Sequence, residues 1–400
     1  MTTQDTGSAV QRSLEAARAA WGHDWQPSFS TRAPGRLELL GNHVDYNGGP
    51  VLAAAIDRDT VCLVRNSAAN GIEVVLADIS PVPASLDPHS LGDWRNASGS
   101  PQPLDYVRGV IATALARGRE VTDGIQIAVA GDVPVGLGLS SSASFCVALT
   151  LALHHPAPDG RELVLSAQEA EHRAGTPCGT MDQAASVGGH VILYDGATAG
   201  WSEITPDLGE YVFAVADSGV SRSLATSSYP RRVEESIQAL DAINAILGTK
   251  AASIAELDPT SLPIIESAPD EKLQHTLKQR VRHVVSEVAR VRVGLDAMQR
   301  ADWPLFGTLM SDSGRSSATD YEISHPRVEE LVATARSVPG VAGARMMGGG
   351  EGGIALILLP RHAVPALITI LKKQYYSKYP MNNPDSVKVF QFAPGAVRNQ

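Results

Sequence analysis

The chain has 400 residues, 44% apolar and 19% charged, with 33 Lys and Arg against 43 Asp and Glu for a formal charge of −10. That length and balance exclude a peptide or a disulfide-stapled miniprotein and predict a soluble chain of two or three units with a sizeable core. The acidic balance argues against nucleic acid as a partner, and three cysteines without CxxC spacing fit a reducing cytoplasm.

Met1–Trp21 reads as a polar tail and then an amphipathic helix carrying Val10, Leu14, Ala17 and Trp21, not as an export signal. Strands are predicted at Val51–Ile56, Thr60–Arg65, Gly71–Ala77 and Ile125–Val129. Helical spacing covers Tyr106–Gly118, Ser142–His154 and Leu163–Ala174, the last stopped by Gly175 and Pro177. Pro81–Pro103 and His155–Gly160 read as surface connections. The longest apolar stretch, Cys146–Leu153, is far below spanning length, so no membrane partner is expected. The second half is predicted to hold a strand at Tyr211–Asp217 and helices over Tyr229–Leu247, Ala268–Arg300 and Arg327–Arg336. It ends as strand Ile354–Leu359, helix Ala363–Leu371 and a last strand Ser386–Phe392, half of a ferredoxin-like unit. The domain boundary is expected near residue 204, giving units 1–203 and 204–400.

Four segments carry chemistry. Gly136-Leu137-Gly138-Leu139-Ser140-Ser141-Ser142-Ala143 lies between a strand and a buried helix, where free backbone N–H groups and the helix dipole can face an anion such as a triphosphate. It is not a Walker A loop, which needs Gly-Lys-Ser/Thr, nor a Rossmann fingerprint, which needs a glycine where Ser141 stands. It also fails as a serine-hydrolase elbow, because Ser142 holds the last glycine position. The plain alternative is a serine N-cap on a core helix. Ala33 through Leu52 packs Asn42, His43 and Asp45 into four residues, an inventory of donors and acceptors suited to sugar hydroxyls; each residue alone reads as a polar turn. In Glu171 through Gln183, Asp182 follows a tight Gly/Pro turn and can orient or deprotonate a hydroxyl, while Glu171 can hold Mg²⁺. Their plain readings are a helix cap and a solvated helix residue. Ala344 through Gly353 is a glycine turn before an apolar strand and weak by itself. The cysteines and the pair His154-His155 are expected to be structural.

Together, in this order, these segments resemble the GHMP small-molecule kinases, and most closely the galactokinase family. Arg36 through Leu52 is similar to the signature Gly-Arg-x-Asn-x-x-Gly-Glu-His-x-Asp-Tyr-x-x-Gly, Gly136–Ser144 to the phosphate loop, and Gly348–Gly353 to the third glycine motif. Further similarity lies in Cys178–Gln183, Arg222–Tyr229, Phe306–Met310 and Asp320–Ile323. The resemblance implies two α+β domains, ribosomal-protein-S5-like at the N-terminus and ferredoxin-like at the C-terminus, with the active site in the cleft between them. It implies transfer of the ATP γ-phosphoryl to the anomeric hydroxyl of galactose. Asp182 and Arg36 would be catalytic, Ser142 and Glu171 the Mg²⁺ ligands, and Gly136, Leu137, Gly138, Leu139, Ser140, Ser141 and Ser142 the ATP loop. Glu38, Asn42, His43, Asp45, Gly179 and Tyr229 would form the sugar site. Whether Asp182 takes the proton or organises Arg36 stays open. The expected partners are ATP and a monosaccharide, with a monomer as the expected state.

Two departures stand out. Asn42 replaces the signature glutamate implicated at the C6 hydroxyl, and Glu38 replaces its asparagine. If Asn42 faces C6, its amide would tolerate a carboxylate there, which opens a uronate or another C6-altered sugar as an alternative substrate. A non-catalytic sugar- and ATP-binding regulator is the other alternative. Pro103 and Leu104 stand before Tyr106 where the family often has the adenine-site tryptophan.

Overall fold

The computed structural model describes residues 7–399 apart from 69, 99, 122–123, 222–226 and 382–385. In chain order the first half contains α1 (Ala9–Trp21), β1 (Phe29–Leu40), β2 (Pro50–Asn66), β3 (Ile72–Leu76), β4 (Ser80–Leu86), α2 (Pro103–Ala116), β5 (Glu120–Val121), β6 (Ile125–Gly131) and α3 (Ser141–Leu153). It continues with β7 (His154–His155), α4 (Gly160–Ala174), α5 (Met181–Gly188), β8 (Val191–Asp195) and β9 (Gly200–Ile204). The second half contains β10 (Tyr211–Asp217), α6 (Tyr229–Leu247), α7 (Leu262–Ser267), α8 (His275–Gln299), α9 (Trp303–Thr319), α10 (Pro326–Arg336), β11 (Gly343–Met346), β12 (Ile354–Pro360), α11 (Val364–Leu371), β13 (Val387–Phe390) and β14 (Val397–Asn399).

Two sheets organise the molecule. The larger runs β14-β1-β2-β6-β3-β4, with β8 on β2 and β9 on β8; β3 and β6 are its parallel pair. The smaller, β11-β12-β10-β13, is antiparallel throughout. Four readings of the sequence change. The Pro81–Pro103 stretch, expected as a surface connection, begins inside β4, which pairs with β3. The expected strands at 51–56 and 60–65 are one strand, β2, whose first part pairs β8 and whose later part pairs β6. Asp57-Arg58-Asp59 breaks the apolar pattern without breaking the backbone: it holds no Gly or Pro, β1 pairing lapses between Ala55 and Asp59, and there Ile56 bridges to Phe392 while the Asp57 N–H donates to the Gln391 carbonyl at 3.1 Å. The helix expected from Ala268 starts only at His275, because Pro269 opens a turn that Lys278 closes on Asp270 at 2.7 Å. The expected last strand is followed by another: β14 leaves the smaller sheet and pairs with β1 at the edge of the larger one.

The two halves share packing. Leu37, Leu39 and Leu52 of the larger sheet are fully buried in one cluster with Phe213, Leu356, Val291 and Phe306 of the second half. Burial of this apolar seam fixes one half against the other, at roughly 25 cal/mol per Å² removed from water.

Candidate active site

The 136–142 loop lies between β6 and α3. Gly136 and Gly138 take positive φ (79° and 74°), so the chain turns twice within three residues. Leu139 is fully buried in the seam and Leu137 packs partly against it, while Gly136, Gly138, Ser140, Ser141 and Ser142 line the cleft. The two leucines hold the loop from below, and their contribution to the cleft is backbone. α3 is buried nearly all round, and its first N–H groups have no partner within the helix. Ser140 precedes α3 in a left-handed conformation, but its hydroxyl does not cap the helix. It donates to Asp182 Oδ2 at 2.6 Å, which sets aside the plain N-cap reading.

Asp182 lies in the first turn of α5, and Arg36 projects from β1 just past an irregularity in its pairing with β2. Arg36 is buried and puts Nε at 2.8 Å and Nη2 at 2.7 Å from Asp182 Oδ1, while Nη1 donates to the Gly138 carbonyl at 2.6 Å. One guanidinium thus ties the carboxylate to the phosphate loop. Asp182 keeps partial access to the cleft.

Opposite lies the Gly41–Pro50 loop. His43, Asp45, Tyr229 and Gly179 all line the cleft there. His43 has φ of 61°, an uncommon conformation for a side-chain-bearing residue, and its Nδ1 is 2.9 Å from the Tyr46 hydroxyl. Tyr46 in turn meets Tyr321 at 2.9 Å, and Asn47 donates to the His43 carbonyl at 2.9 Å. Gly179 is required by space: a Cβ there would stand 1.9 Å from Asp45 Oδ2. Burial, then the nearby Asp182 charge, pushes the Asp45 carboxyl up to about 7. Such a group takes up hydroxyl donors readily, since they stabilise its charged form.

Glu171 sits on α4 beneath the phosphate loop and is 1% exposed. Its carboxylate is hydrogen-bonded to the Ser142 hydroxyl and takes a bond from Gln183 Nε2. Burial, with no guanidinium or ammonium among its hydrogen-bond partners, raises it to about 7. Among the described residues no group of three or more His, Cys, Asp or Glu could hold a metal ion. A carboxylate and a hydroxyl beside a phosphate loop are nonetheless the oxygen donors Mg²⁺ takes when phosphates supply the rest.

At the far corner, Glu38 lines the cleft and Asn42 does not. Asn42 is wholly buried: Nδ2 donates to Glu38 Oε1 and to the Gly348 carbonyl, each at 3.0 Å, and Oδ1 accepts from Ser317 at 2.9 Å. The expected amide facing the sugar is thus spent on protein partners. Arg345, fully buried, reaches Glu38 Oε1 at 2.9 Å and its carbonyl at 2.7 Å.

The cleft therefore gathers Arg36, Glu38, His43, Asp45, Gly136, Gly138, Ser140, Ser141, Ser142, Gly179, Asp182 and Tyr229, with Ser142 joined to Glu171 behind it. Pro101, Tyr106 and Thr176 extend it beyond the phosphate loop, Tyr106 meeting Thr176 at 2.8 Å. Of the Arg222–Tyr229 segment, residues 222–226 lie outside the described residues. Sequence reasoning missed Arg345, Ser317, His283 and Glu287. Glu287 accepts from the Gly41 and Asn42 N–H groups at 3.0 and 3.1 Å, and His283 Nε2 lies 2.9 Å from the Asn42 carbonyl. Charged and polar residues on the otherwise apolar face of α8 were the available signal.

A loop of this form over a buried helix, hydrogen-bonded to an Arg–Asp pair at a cleft between two α+β halves, defines a GHMP kinase. The N-terminal and C-terminal GHMP kinase domains match residues 105–190 and 295–377, and the galactokinase galactose-binding signature matches residues 18–66. Galactokinase of Homo sapiens is 35% identical over 381 residues, 92% of this chain and 93% of its own. That of Bos taurus is 33% identical over 401 residues, 95% and 97% of the two chains. A crystal structure of Lactococcus lactis galactokinase complexed with galactose superposes with a TM-score of 0.87 at 26% identity, covering 97% of this chain and 99% of that one. The chain belongs to the galactokinase family.

Proposed function

We propose that this protein is an ATP-dependent sugar-1-kinase that transfers the γ-phosphoryl of ATP to the anomeric hydroxyl of galactose. The observation that carries this reading is the Arg36–Asp182 pair, 2.7 Å apart, standing between a hydroxyl-reading loop and a phosphate loop. The identity to the human and bovine galactokinases supports the choice of sugar.

In this reading the triphosphate lies along Gly136–Ser142, held by backbone N–H groups of the loop and the start of α3. His43, Asp45 and Tyr229 hold the sugar and turn its anomeric hydroxyl toward Asp182. Asp182 accepts from that hydroxyl, and Arg36 stabilises negative charge on the phosphoryl oxygens as they pass between nucleophile and ADP. Ser142 and Glu171 would hold Mg²⁺, which supplies neutralisation of the β- and γ-phosphate charge when bound. Glu171 fits that role because, among the described residues, no guanidinium or ammonium is hydrogen-bonded to its carboxylate. No helix among the described residues is long and apolar enough to cross a membrane. We read the enzyme as cytoplasmic and monomeric.

The test is a panel of hexoses, 6-deoxy sugars and uronates with ATP, scored for sugar-dependent ADP release. Galactose should give the highest kcat/KM. Release on another sugar class alone would overturn the choice of substrate, and binding without release would make the protein a regulator.

A further inference from the structure

The departures at positions 38 and 42 are a single exchange. The signature of the family has Asn then Glu at these places; this chain has Glu38 then Asn42. The two side chains touch, Asn42 Nδ2 donating to Glu38 Oε1 at 3.0 Å. The chain thus carries one amide and one carboxylate with the positions reversed relative to the signature, and a hydrogen bond joins them.

The reversal decides which group meets the cleft. Both N–H groups of the Asn42 amide and its oxygen are taken by Glu38, Gly348 and Ser317. Glu38 Oε1 is taken by Asn42 and Arg345, whereas Oε2 receives no hydrogen bond from the described residues. Glu38 lines the cleft with His43 and Asp45, and its charge adds to the rise of the Asp45 carboxyl, which places the two carboxylates near one another. A carboxylate oxygen accepts and never donates, so the group it reads must carry a proton.

We infer that Glu38 is the specificity-determining residue at this corner of the sugar site, that Asn42 positions it, and that the corner selects a neutral hydroxyl and rejects a carboxylate. The exchange then widens nothing: a uronate meets Glu38 and Asp45 together. This deepens the sugar-kinase reading and rests on it.

The experiment measures sugar binding by calorimetry without ATP, so that a protein that binds but does not turn over fails the functional reading while still deciding this one. Galactose and galacturonate are titrated into the wild type, Glu38→Gln, Glu38→Asn, Asn42→Glu and the double variant Glu38→Asn/Asn42→Glu, each checked by thermal melting. Glu38→Gln keeps one oxygen for Asn42 and Arg345. It should weaken galactose binding by roughly 10- to 100-fold and narrow the preference over galacturonate. Asn42→Glu should weaken galactose as well, because two carboxylates would share Arg345. The double variant should recover the contact between the two side chains and the wild-type melting temperature but, with an amide at the cleft position, bind galactose no better than Glu38→Gln. Unchanged affinity and preference in Glu38→Gln would overturn the inference. So would a double variant with the affinity and preference of the wild type, which decides the matter should Glu38→Gln fail to fold.

Discussion

The 136–142 loop and the 41–50 loop face each other across Asp182, one built of glycine and serine and the other of larger polar side chains. Gly136 to Ser142 is fixed from below by two leucines and lies partly open, with the adjoining Val135 85% exposed. Gly41 to Pro50 is buried and tied to the second half of the chain through Glu287, His283, Ser317 and Tyr321. A triphosphate carries charge that any set of N–H groups can meet, so the loop needs only the right turns. A sugar is read hydroxyl by hydroxyl, which requires side chains held in one orientation from behind.

The largest effect is expected where the loops meet. Asp182→Asn should fold, since the amide is nearly isosteric, and lose about 10²–10⁴-fold in kcat if Asp182 acts as general base. ADP release near the wild-type rate from the folded variant would remove Asp182 from the mechanism.

Next comes the support of the sugar loop. Burial works against the charge of Glu287, yet Arg290 foremost among its neighbours holds its carboxyl down to about 2. Glu287→Gln removes that charge beneath Gly41 and Asn42 and should cost about 2–4 kcal/mol of stability and raise the sugar KM, with the ATP KM little changed. Because the folded value lies below the ordinary 4.5, the wild-type advantage is full above that pH and is lost as pH falls through 2. Equal melting of the two proteins at neutral pH would show the loop is held by other means.

The phosphate side should answer to metal. Glu171→Gln should raise the Mg²⁺ concentration for half-activity by about tenfold, with sugar affinity unchanged. An identical Mg²⁺ titration would place the ligands elsewhere.

The smallest effect is a pH slope. The Asp45 carboxyl lies near 7 in the fold against an ordinary 3.8, so between those values the folded chain holds a proton that the unfolded chain has lost. Folding takes up that proton, and stability falls as pH rises from 3.8 toward 7 and levels above it. Without sugar, Asp45→Asn should remove this share of the slope, so that its melting temperature gains on the wild type by roughly five degrees across the window. Parallel curves would mean Asp45 is charged throughout.

The difference between the loops also explains what the sequence made legible. The phosphate loop is local, glycines and serines in one run, so its place between β6 and α3 could be read directly. The residues of the sugar loop could be read too, but not their directions. Whether Asn42 faces sugar or protein depends on Ser317 and Gly348, about three hundred positions away, and no local pattern carries that. Glu38 and Asn42 looked like two separate departures until the contact between them made them one. In the fold, long amphipathic helices such as α6 were legible to the residue. Errors fell where tertiary pairing overrides local signals: β2 runs on through Ile56 and Asp57 beside Phe392 and Gln391, far along the chain, and β14 exists because the edge of the larger sheet is there to receive it.

The central claim is the direction of transfer, from a triphosphate on the 136–142 loop to the anomeric hydroxyl held near Asp182. Phosphorus–proton correlation NMR of the product formed from galactose and ATP tests it most directly. The account predicts one sugar phosphate whose phosphorus couples to the anomeric proton, formed in step with ADP and absent with Asp182→Asn. Phosphorus coupled to the C6 protons, or ADP without a sugar phosphate, would contradict it.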